Sequence, residues 1–364
     1  MGRGGRSVNR TVPAFVALLM FLMPYGYFQA GMIVYSGATL AEPTCEDHAP
    51  YNTPASFTPH LWGTDMIDAA ASNLTTNVTA DAPGGLAIWS MPVWSNVTVH
   101  MDEEPIALQA WVVEQNPDEP WVLFVHGIRS CKANHEVLLP AGMLAEAGYN
   151  VVMMDMRDHW ESTLEDGQVS AGQKEWRDVV AVWQWIQDEK GVPAERIGVM
   201  GASMGAGTVG IAFAQEPGMA SVFLDSPFSN MGDIIVEELS FRGYPTFLKD
   251  AGIFAGRVSS GEDLVAHNPI DGAHLIGNRS MTIVHGEDDM RIRIHHGEAL
   301  CDAAKAAATQ PDQVTCWFES SQLTFDSTDD GTVVEGHVTL MLTHTPLYEQ
   351  RLLEWAEGLR ATAG

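Results

Sequence analysis

Short, almost wholly apolar runs punctuate the chain at Trp121 to Val125, Asn150 to Asp155, Arg196 to Met200, Ala220 to Asp225, Met281 to His285 and Gln313 to Phe318. Runs of this length and composition predict strands buried on both faces. Between them, apolar positions recur with helical spacing. Helices are predicted over Asn134 to Ala147, Gln173 to Glu189, Ala206 to Ala214, His296 to Ala308 and Pro346 to Gly358. In the second of these, Trp176, Val179, Val180, Trp183 and Ile186 share one face. Upstream, Val93 to Met101 and Ile106 to Glu114 read as an antiparallel pair around the turn Asp102-Glu103-Glu104-Pro105. Strands alternating with helices predict an α/β domain of about residues 93–360. Its sheet is eight-stranded and mostly parallel, with helices on both faces. In such sheets, sites lie beyond the carboxyl ends of the strands. Here those ends carry His126-Gly127, Asp155, Ser203, Asp225 and His285-Gly286.

Two segments stand apart from this alternation. Residues 1–41 begin with Arg3, Arg6 and Arg10 and continue from Val12 to Ala41 without a charge. A bilayer core needs roughly 20 apolar residues as a helix, and a signal-peptide core about 7–15. The run therefore predicts a membrane anchor with the bulk of the chain outside. A cleaved signal, cut near Ser36-Gly37-Ala38, is the alternative. Residues 42–92 are rich in Pro, Thr, Asn and Ala and read as a connector, with one short helix expected at Asp65 to Ser72. A second helical insertion lies inside the domain, at 226–278. Its pieces Asp233 to Phe241 and Phe247 to Val258 carry Ile234, Ile235, Leu239, Phe247, Leu248, Ile253 and Phe254, as a cap over a site would.

Charge narrows the partners. The formal net charge is −28, with five lysines and fourteen arginines. So acidic a surface repels nucleic acid, which excludes a DNA or RNA partner. It suits a salty habitat, or is simply a solvated face. The four cysteines, Cys45, Cys131, Cys301 and Cys316, include no C-x-x-C pair, which argues against a thiolate zinc site. In an exported domain Cys301 and Cys316 would be the first pair to join; two free thiols are the alternative. Asn73, Asn77, Asn96 and Asn278 each begin an N-x-S/T sequon, relevant only in a cell that glycosylates exported chains.

The chemistry-bearing stretch is Gly201-Ala202-Ser203-Met204-Gly205, placed between a strand and a helix. G-x-S-x-G in that setting is a nucleophile elbow, a tight turn that crowds any side chain two positions either side of the serine. A serine hydroxyl needs a base, and the base needs an acid to fix its tautomer. The acid is expected after a later strand, where His285-Gly286-Glu287-Asp288-Asp289 offers candidates. Asp289 is preferred and Asp288 is the alternative. The base is expected last, at His337, with His344 as the competitor; the order Ser, Asp, His fits this architecture. Oxyanion donors are expected from the backbone N–H groups of Met204, at a helix N-terminus, and Ile128, after the third strand. His126 reads as a structural loop residue. The adjacent His295-His296 could suggest a metal, but neighbouring helical side chains diverge, and no metal site is assigned.

Taken together, His126-Gly127, Asp155-Met156-Arg157, Gly201 to Gly205, Asp225-Ser226-Pro227, His285-Gly286 with Asp289, Gly336-His337 and the spacing to Tyr348 make the chain from Val93 to Gly358 resemble an α/β-hydrolase. It is similar to the serine aminopeptidase-like or prolyl-oligopeptidase-like esterases and peptidases. The resemblance implies a serine hydrolase without cofactor, acting on a small ester or peptide through an acyl-enzyme. Three features depart from that pattern. Trp160 stands where the family often has glycine in Arg157-Asp158-His159-Trp160-Glu161-Ser162, and is expected to alter that loop or line the pocket. The stretch from Glu319 to Glu335 before His337 is long and acidic. No arginine or glutamate pair stands out to hold a peptide's amino terminus. Carboxylesterase is therefore the first expectation and peptidase the second, with a non-catalytic binding protein or an acyltransferase as the reading from another class. Oligomeric state has no sequence signal.

Overall fold

The computed structural model describes residues 11–41, 45, 52–57, 89–321 and 337–361. The expected helix Asp65 to Ser72, the sequons at Asn73 and Asn77, the three leading arginines and most of the acidic stretch before His337 lie outside the described residues.

Eight strands form one sheet: β1 (Ser95–His100), β2 (Ala107–Val113), β3 (Trp121–Val125), β4 (Asn150–Met154), β5 (Ile197–Ala202), β6 (Ser221–Asp225), β7 (Ser280–Gly286) and β8 (Val314–Glu319). Their spatial order is β1-β2-β4-β3-β5-β6-β7-β8. β2 runs antiparallel to both neighbours, and the other pairings are parallel. Every residue of β3, β4, β5 and β6 is buried, which is why these segments read as continuous apolar runs.

Helices cover both faces. On one side α2 (His135–Glu146), the short α9 (Leu340–Thr343) and the closing α10 (Thr345–Ala361) enclose Trp111, Phe124, Tyr149, Phe223, Tyr348 and Trp355. On the other, α3 (Trp176–Lys190), α4 (Met204–Gln215) and α8 (Ile294–Ala307) enclose Leu123, Val152, Val179, Trp183, Val199 and Phe213. Helix α3 buries Val179, Val182, Trp183 and Ile186 along one stripe and stops at Gly191 in the left-handed conformation.

Between β6 and β7 stand α5 (Met231–Phe241), α6 (Lys249–Ser259) and the short α7 (Pro269–His274). Asn230 caps α5 by accepting from the N–H groups of Gly232 and Asp233. A third apolar cluster lies under this cap: Phe228, Met231, Ile235, Leu239, Ile253, Leu264 and Ile292, joined by Tyr35.

Tyr35 belongs to α1 (Thr11–Thr39), the charge-free N-terminal run. No helix among the described residues is long and apolar enough to cross a membrane, so the spanning helix expected there is not found. The second half of α1 packs against the cap helix α6. A Cβ at Gly31 would sit 2.2 Å from the Ala251 carbonyl oxygen, and one at Gly252 would sit 2.7 Å from the Val34 side chain. The two backbones therefore approach as closely as small residues permit.

Buried charge ties the loops at the carboxyl ends together. Arg157 is fully buried and bonds Asp178 at 2.6 Å and Glu104 at 2.6 Å, joining the end of β4 to α3 and to the β1–β2 turn. Lys132 is also buried. It pairs with Asp155 and, at 2.6 Å, with Glu161, and its ammonium lies 4.3 Å from the Trp160 ring centre. Trp160 packs edge-on to Trp111. It therefore covers a buried cation and does not line the cavity at Ser203, contrary to one expectation.

All four cysteines are paired. Cys301–Cys316 joins α8 to β8, and Cys45–Cys131 ties the connector to the loop after β3, a pair the sequence reading did not assign. Cys301 and Cys316 lie 15 residues apart. Replacing both by serine is expected to cost about 3 kcal/mol of stability, the entropy of closing such a loop, read as a lower midpoint in urea. An unchanged midpoint would contradict this.

Candidate active site

Strand β5 ends at Ala202, and α4 begins at Met204. The single residue between them turns the chain. Ser203 has φ 55° and ψ −122°, a region that L-residues avoid and that costs of order 1–3 kcal/mol. The surrounding backbone imposes this conformation. A Cβ at Gly201 would lie 2.3 Å from the Gly205 carbonyl oxygen, and a Cβ at Gly205 would lie 2.4 Å from the carbonyl oxygens of Val125 and His126. Only hydrogen fits at either position. The Ser203 N–H donates to the Asp225 carbonyl at 2.9 Å, which pins the turn to β6.

Three side chains expected together do meet. The His337 Nε2 lies 2.9 Å from the Ser203 Oγ, and its Nδ1 lies 2.8 Å from the Asp289 Oδ2. An ionised carboxylate only accepts, so Nδ1 carries the proton and Nε2 is left to accept from the serine hydroxyl. Asp289 is buried on the turn after β7. Its other oxygen accepts from the backbone N–H groups of Arg291 and Ile292 at 2.8 and 2.9 Å. Burial alone would raise its pKa, but His337 and His285 outweigh that and hold the carboxyl well below the usual carboxylate range.

The alternatives point elsewhere. Asp288 accepts from the Ser321 N–H at 2.9 Å and the Ser320 hydroxyl at 3.0 Å. His344 has its Nδ1 2.9 Å from the Thr343 hydroxyl, and its ring stands edge-on to Trp317.

Ile128 and Met204 line the same cavity as Ser203. Met204 is the first residue of α4, where N–H groups have no intrahelical acceptor. The loop carrying Ile128 is held by a residue the sequence reading missed: the Glu136 carboxylate accepts the Gly127 N–H at 2.7 Å. Glu136 lies in the first turn of α2, and nothing in its local sequence distinguishes it from an ordinary helix-start acid. His126 behaves as expected of a structural residue. Its Nε2 accepts from the Met156 N–H at 3.2 Å, and its Nδ1 faces the Gly127 carbonyl at 2.7 Å.

The cavity has a volume of about 280 Å³ and is mostly apolar, lined by Ile128, Phe228, Met231, Ile234, Ile235 and Leu239, with part of α1. Of the apolar cap residues singled out in the sequence, Ile234, Ile235 and Leu239 reach it. Ile253 and Phe254 line a different, open hollow of about 450 Å³ that does not include Ser203. The smaller hollow contains Ser203 and is the candidate site.

The model of the family described as the prolyl oligopeptidase family matches residues 139–321, half of the chain and the stretch that carries both Ser203 and Asp289. The chain belongs to that family. Among curated relatives, it is 34% identical over 143 residues to an uncharacterised 31.7 kDa protein from the traX-finO intergenic region of Escherichia coli, covering 38% of this chain and 48% of that one. The chain spans about half the length of the curated relatives it matches. Among solved structures, the Pyrococcus furiosus esterase Pf2001 superposes with a TM-score of 0.55 at 19% identity, covering 74% of this chain and 92% of that one. The Pyrococcus horikoshii acylaminoacyl peptidase gives 0.52 at 15% identity, covering 76% and 43%. At such identities these structures establish the α/β-hydrolase fold alone.

In this prolyl oligopeptidase family member a second buried network reaches the His337 loop. Tyr348 of α10 donates to Asp225 at 2.7 Å, the Ser226 hydroxyl donates to the other Asp225 oxygen at 3.1 Å, and the Val338 N–H donates to that hydroxyl at 3.2 Å. Ser226 and Val338 both have positive φ, 52° and 53°. The closing helix and β6 thus hold the backbone directly after His337. The sequence contained these residues as motif fragments but gave no sign of their linkage.

One cluster has metal-binding composition. Glu237 of α5 faces both His295 and His296, with Nε2 to carboxylate distances of 3.2 and 3.6 Å. The two rings lie 4.3 Å apart at 31°, so they do not diverge as helix geometry alone suggests. The His296 Nδ1 accepts from the Ser229 N–H at 3.2 Å, however, which leaves the proton on Nε2. That nitrogen lies 3.6 Å from Glu237, beyond hydrogen-bond reach, and the cluster brings the cap helix α5 against α8.

Burial pushes the Asp225 carboxyl up to about 6 from its ordinary 3.8. The folded state therefore holds this proton more tightly than the unfolded chain does. The stability it brings is complete below about pH 4 and is lost as pH rises through about 6. Asp225→Asn keeps an acceptor for Tyr348 but removes the titration. Wild type is expected to lose stability relative to the variant between about pH 4 and 6 in urea melts; parallel curves would contradict this.

Proposed function

We propose that the protein is a serine hydrolase that cleaves a carboxylic ester through an acyl-enzyme. The observation that carries this reading is the unbroken chain from Asp289 through His337 to Ser203, ending in a largely apolar cavity. Ser203 Oγ attacks the ester carbonyl while His337 Nε2 takes the hydroxyl proton, and the Asp289 carboxylate stabilises the imidazolium that forms. The oxyanion of the tetrahedral intermediate accepts from the N–H groups of Met204 and Ile128. Collapse expels the alcohol, which receives the proton from His337. Water, deprotonated by the same imidazole, then releases the acid and regenerates Ser203.

Esterase is favoured by the charge pattern of the cavity. Glu238, the one acidic residue lining it among the described residues, is already held by Arg242 at 2.5 Å and Arg291 at 2.9 Å. Those guanidiniums overcome its burial and keep its carboxyl below the usual range. It is committed within the protein and does not offer itself to a peptide's ammonium group. Cleavage of aminoacyl amides is the second reading, favoured by the family the chain belongs to.

The N-terminal segment fits membrane attachment with the hydrolase domain on the outer side. The charge-free run after Arg10 and the exposed side chains of Met20, Leu22, Met23 and Tyr25 support this. Retention of the full chain in carbonate-washed membranes is the expected result; release into the supernatant would oppose it.

For the chemistry, wild type is expected to react with a fluorophosphonate probe, and Ser203→Ala to remain unlabelled. The same variant should lose about 10⁴–10⁶ in turnover of p-nitrophenyl esters, and Asp289→Asn about 10⁴. Folded wild-type protein that takes no label would favour a binding role. Faster turnover of aminoacyl anilides than of esters would favour the peptidase.

A further inference from the structure

We propose that the second half of α1 is a working wall of the active site and forms, with cap helix α5, a subsite for an unbranched acyl chain of short to medium length. The inference rests on Ser203 being the residue acylated. Val34, Gly37 and Ala38 of α1 line the Ser203 cavity together with Ile234, Ile235 and Leu239 of α5. At about 280 Å³ the space lies just under the roughly 300–1,000 Å³ usual for ligand pockets, which suits a modest acyl group and excludes a bulky one.

The wall is fixed in place. Tyr35 is 4% exposed and hydrogen-bonds the Ser260 hydroxyl at 2.8 Å, across from α6. The Thr39 hydroxyl reaches Gln168 at 2.6 Å, and the Val169 N–H donates to the Thr39 carbonyl at 2.6 Å. The Ala41 N–H donates to the Gly167 carbonyl at 2.9 Å. Arg129 closes the arrangement. It follows Ile128 in the oxyanion loop, and its guanidinium donates to the carbonyls of Leu40 at 3.1 Å and Gly37 at 3.2 Å, at the carboxyl end of α1. Helix α1 thereby touches both the acyl side of the cavity and the loop that carries an oxyanion donor. Cleavage at Ser36-Gly37-Ala38 would open the cavity on this side, so the working enzyme retains the segment.

Gly37 allows a direct test, because a Cβ there meets nothing within 4 Å. Wild type, Gly37→Phe and Ala38→Val are compared on p-nitrophenyl acetate, butyrate, octanoate and dodecanoate, with Met23→Phe, on the exposed part of α1, as control. Wild type should prefer butyrate or octanoate over dodecanoate. Both wall variants should lose about tenfold or more in the octanoate-to-acetate ratio of kcat/KM, chiefly through KM. Fluorophosphonate labelling of the wall variants checks that the serine remains reactive, and the control should match wild type in both labelling and chain-length profile. Labelled, active wall variants with an unchanged chain-length profile would overturn the inference while leaving the serine chemistry standing. Absence of labelling in wild type would instead remove the functional reading on which it rests.

Discussion

The site depends on one backbone constraint, the positive φ of Ser203. With the next turn of α4 pressed onto the end of β5, and the loop after β3 pressed onto α4, no conformation other than a sharp elbow joins the strand to the helix. The elbow does three things at once. It lifts the serine hydroxyl out of the sheet toward His337, it places Met204, which lines the cavity, first in α4, and it sets Gly205 against the carbonyls of Val125 and His126. Strain of order 1–3 kcal/mol is tolerable because the whole parallel core holds the two flanking elements.

Around the elbow, the molecule fixes its functional groups by burying polar atoms in pairs. Asp289 is held by two backbone N–H groups and His337, Asp225 by Tyr348 and Ser226, and Glu136 holds the Gly127 N–H. Each carboxylate faces donors that restrict its orientation, and each acts on a different loop of the site. Arg157 and Lys132 do the same for the loops behind. Buried charge of this kind is a costly way to gain stability. Here its product is geometric: loops from five strand ends are held in one register around a single hydroxyl.

Much of this was legible from the chain because local pattern and tertiary role coincide. Fully buried parallel strands must be apolar throughout, so β3, β4 and β6 were visible as runs. The elbow must have glycine at 201 and 205, so Ser203 was visible as a motif, and chain order then pointed to Asp289 and His337. What remained hidden depends on through-space contact with no local signature. Glu136 looks like any acid in a first helical turn. The link from Tyr348 to Val338 joins three separate stretches of chain. The pairing of Cys45 with Cys131 bridges 86 positions. The contact made by the N-terminal run was hidden for a related reason: a charge-free helix carries no mark of the cap helix packed on part of it, and the close approach of Gly31 to Ala251 appears only in three dimensions.

The central claim is that Ser203 becomes acylated. Its most direct test is a rapid-mixing experiment with p-nitrophenyl butyrate followed by acid quench and peptide mapping. The account requires a burst of p-nitrophenol approaching one equivalent per chain, or at least a trappable fraction, with the butyryl mass on the peptide containing Ser203. Ester turnover with no covalent adduct on any peptide, or an adduct on another residue, would contradict it.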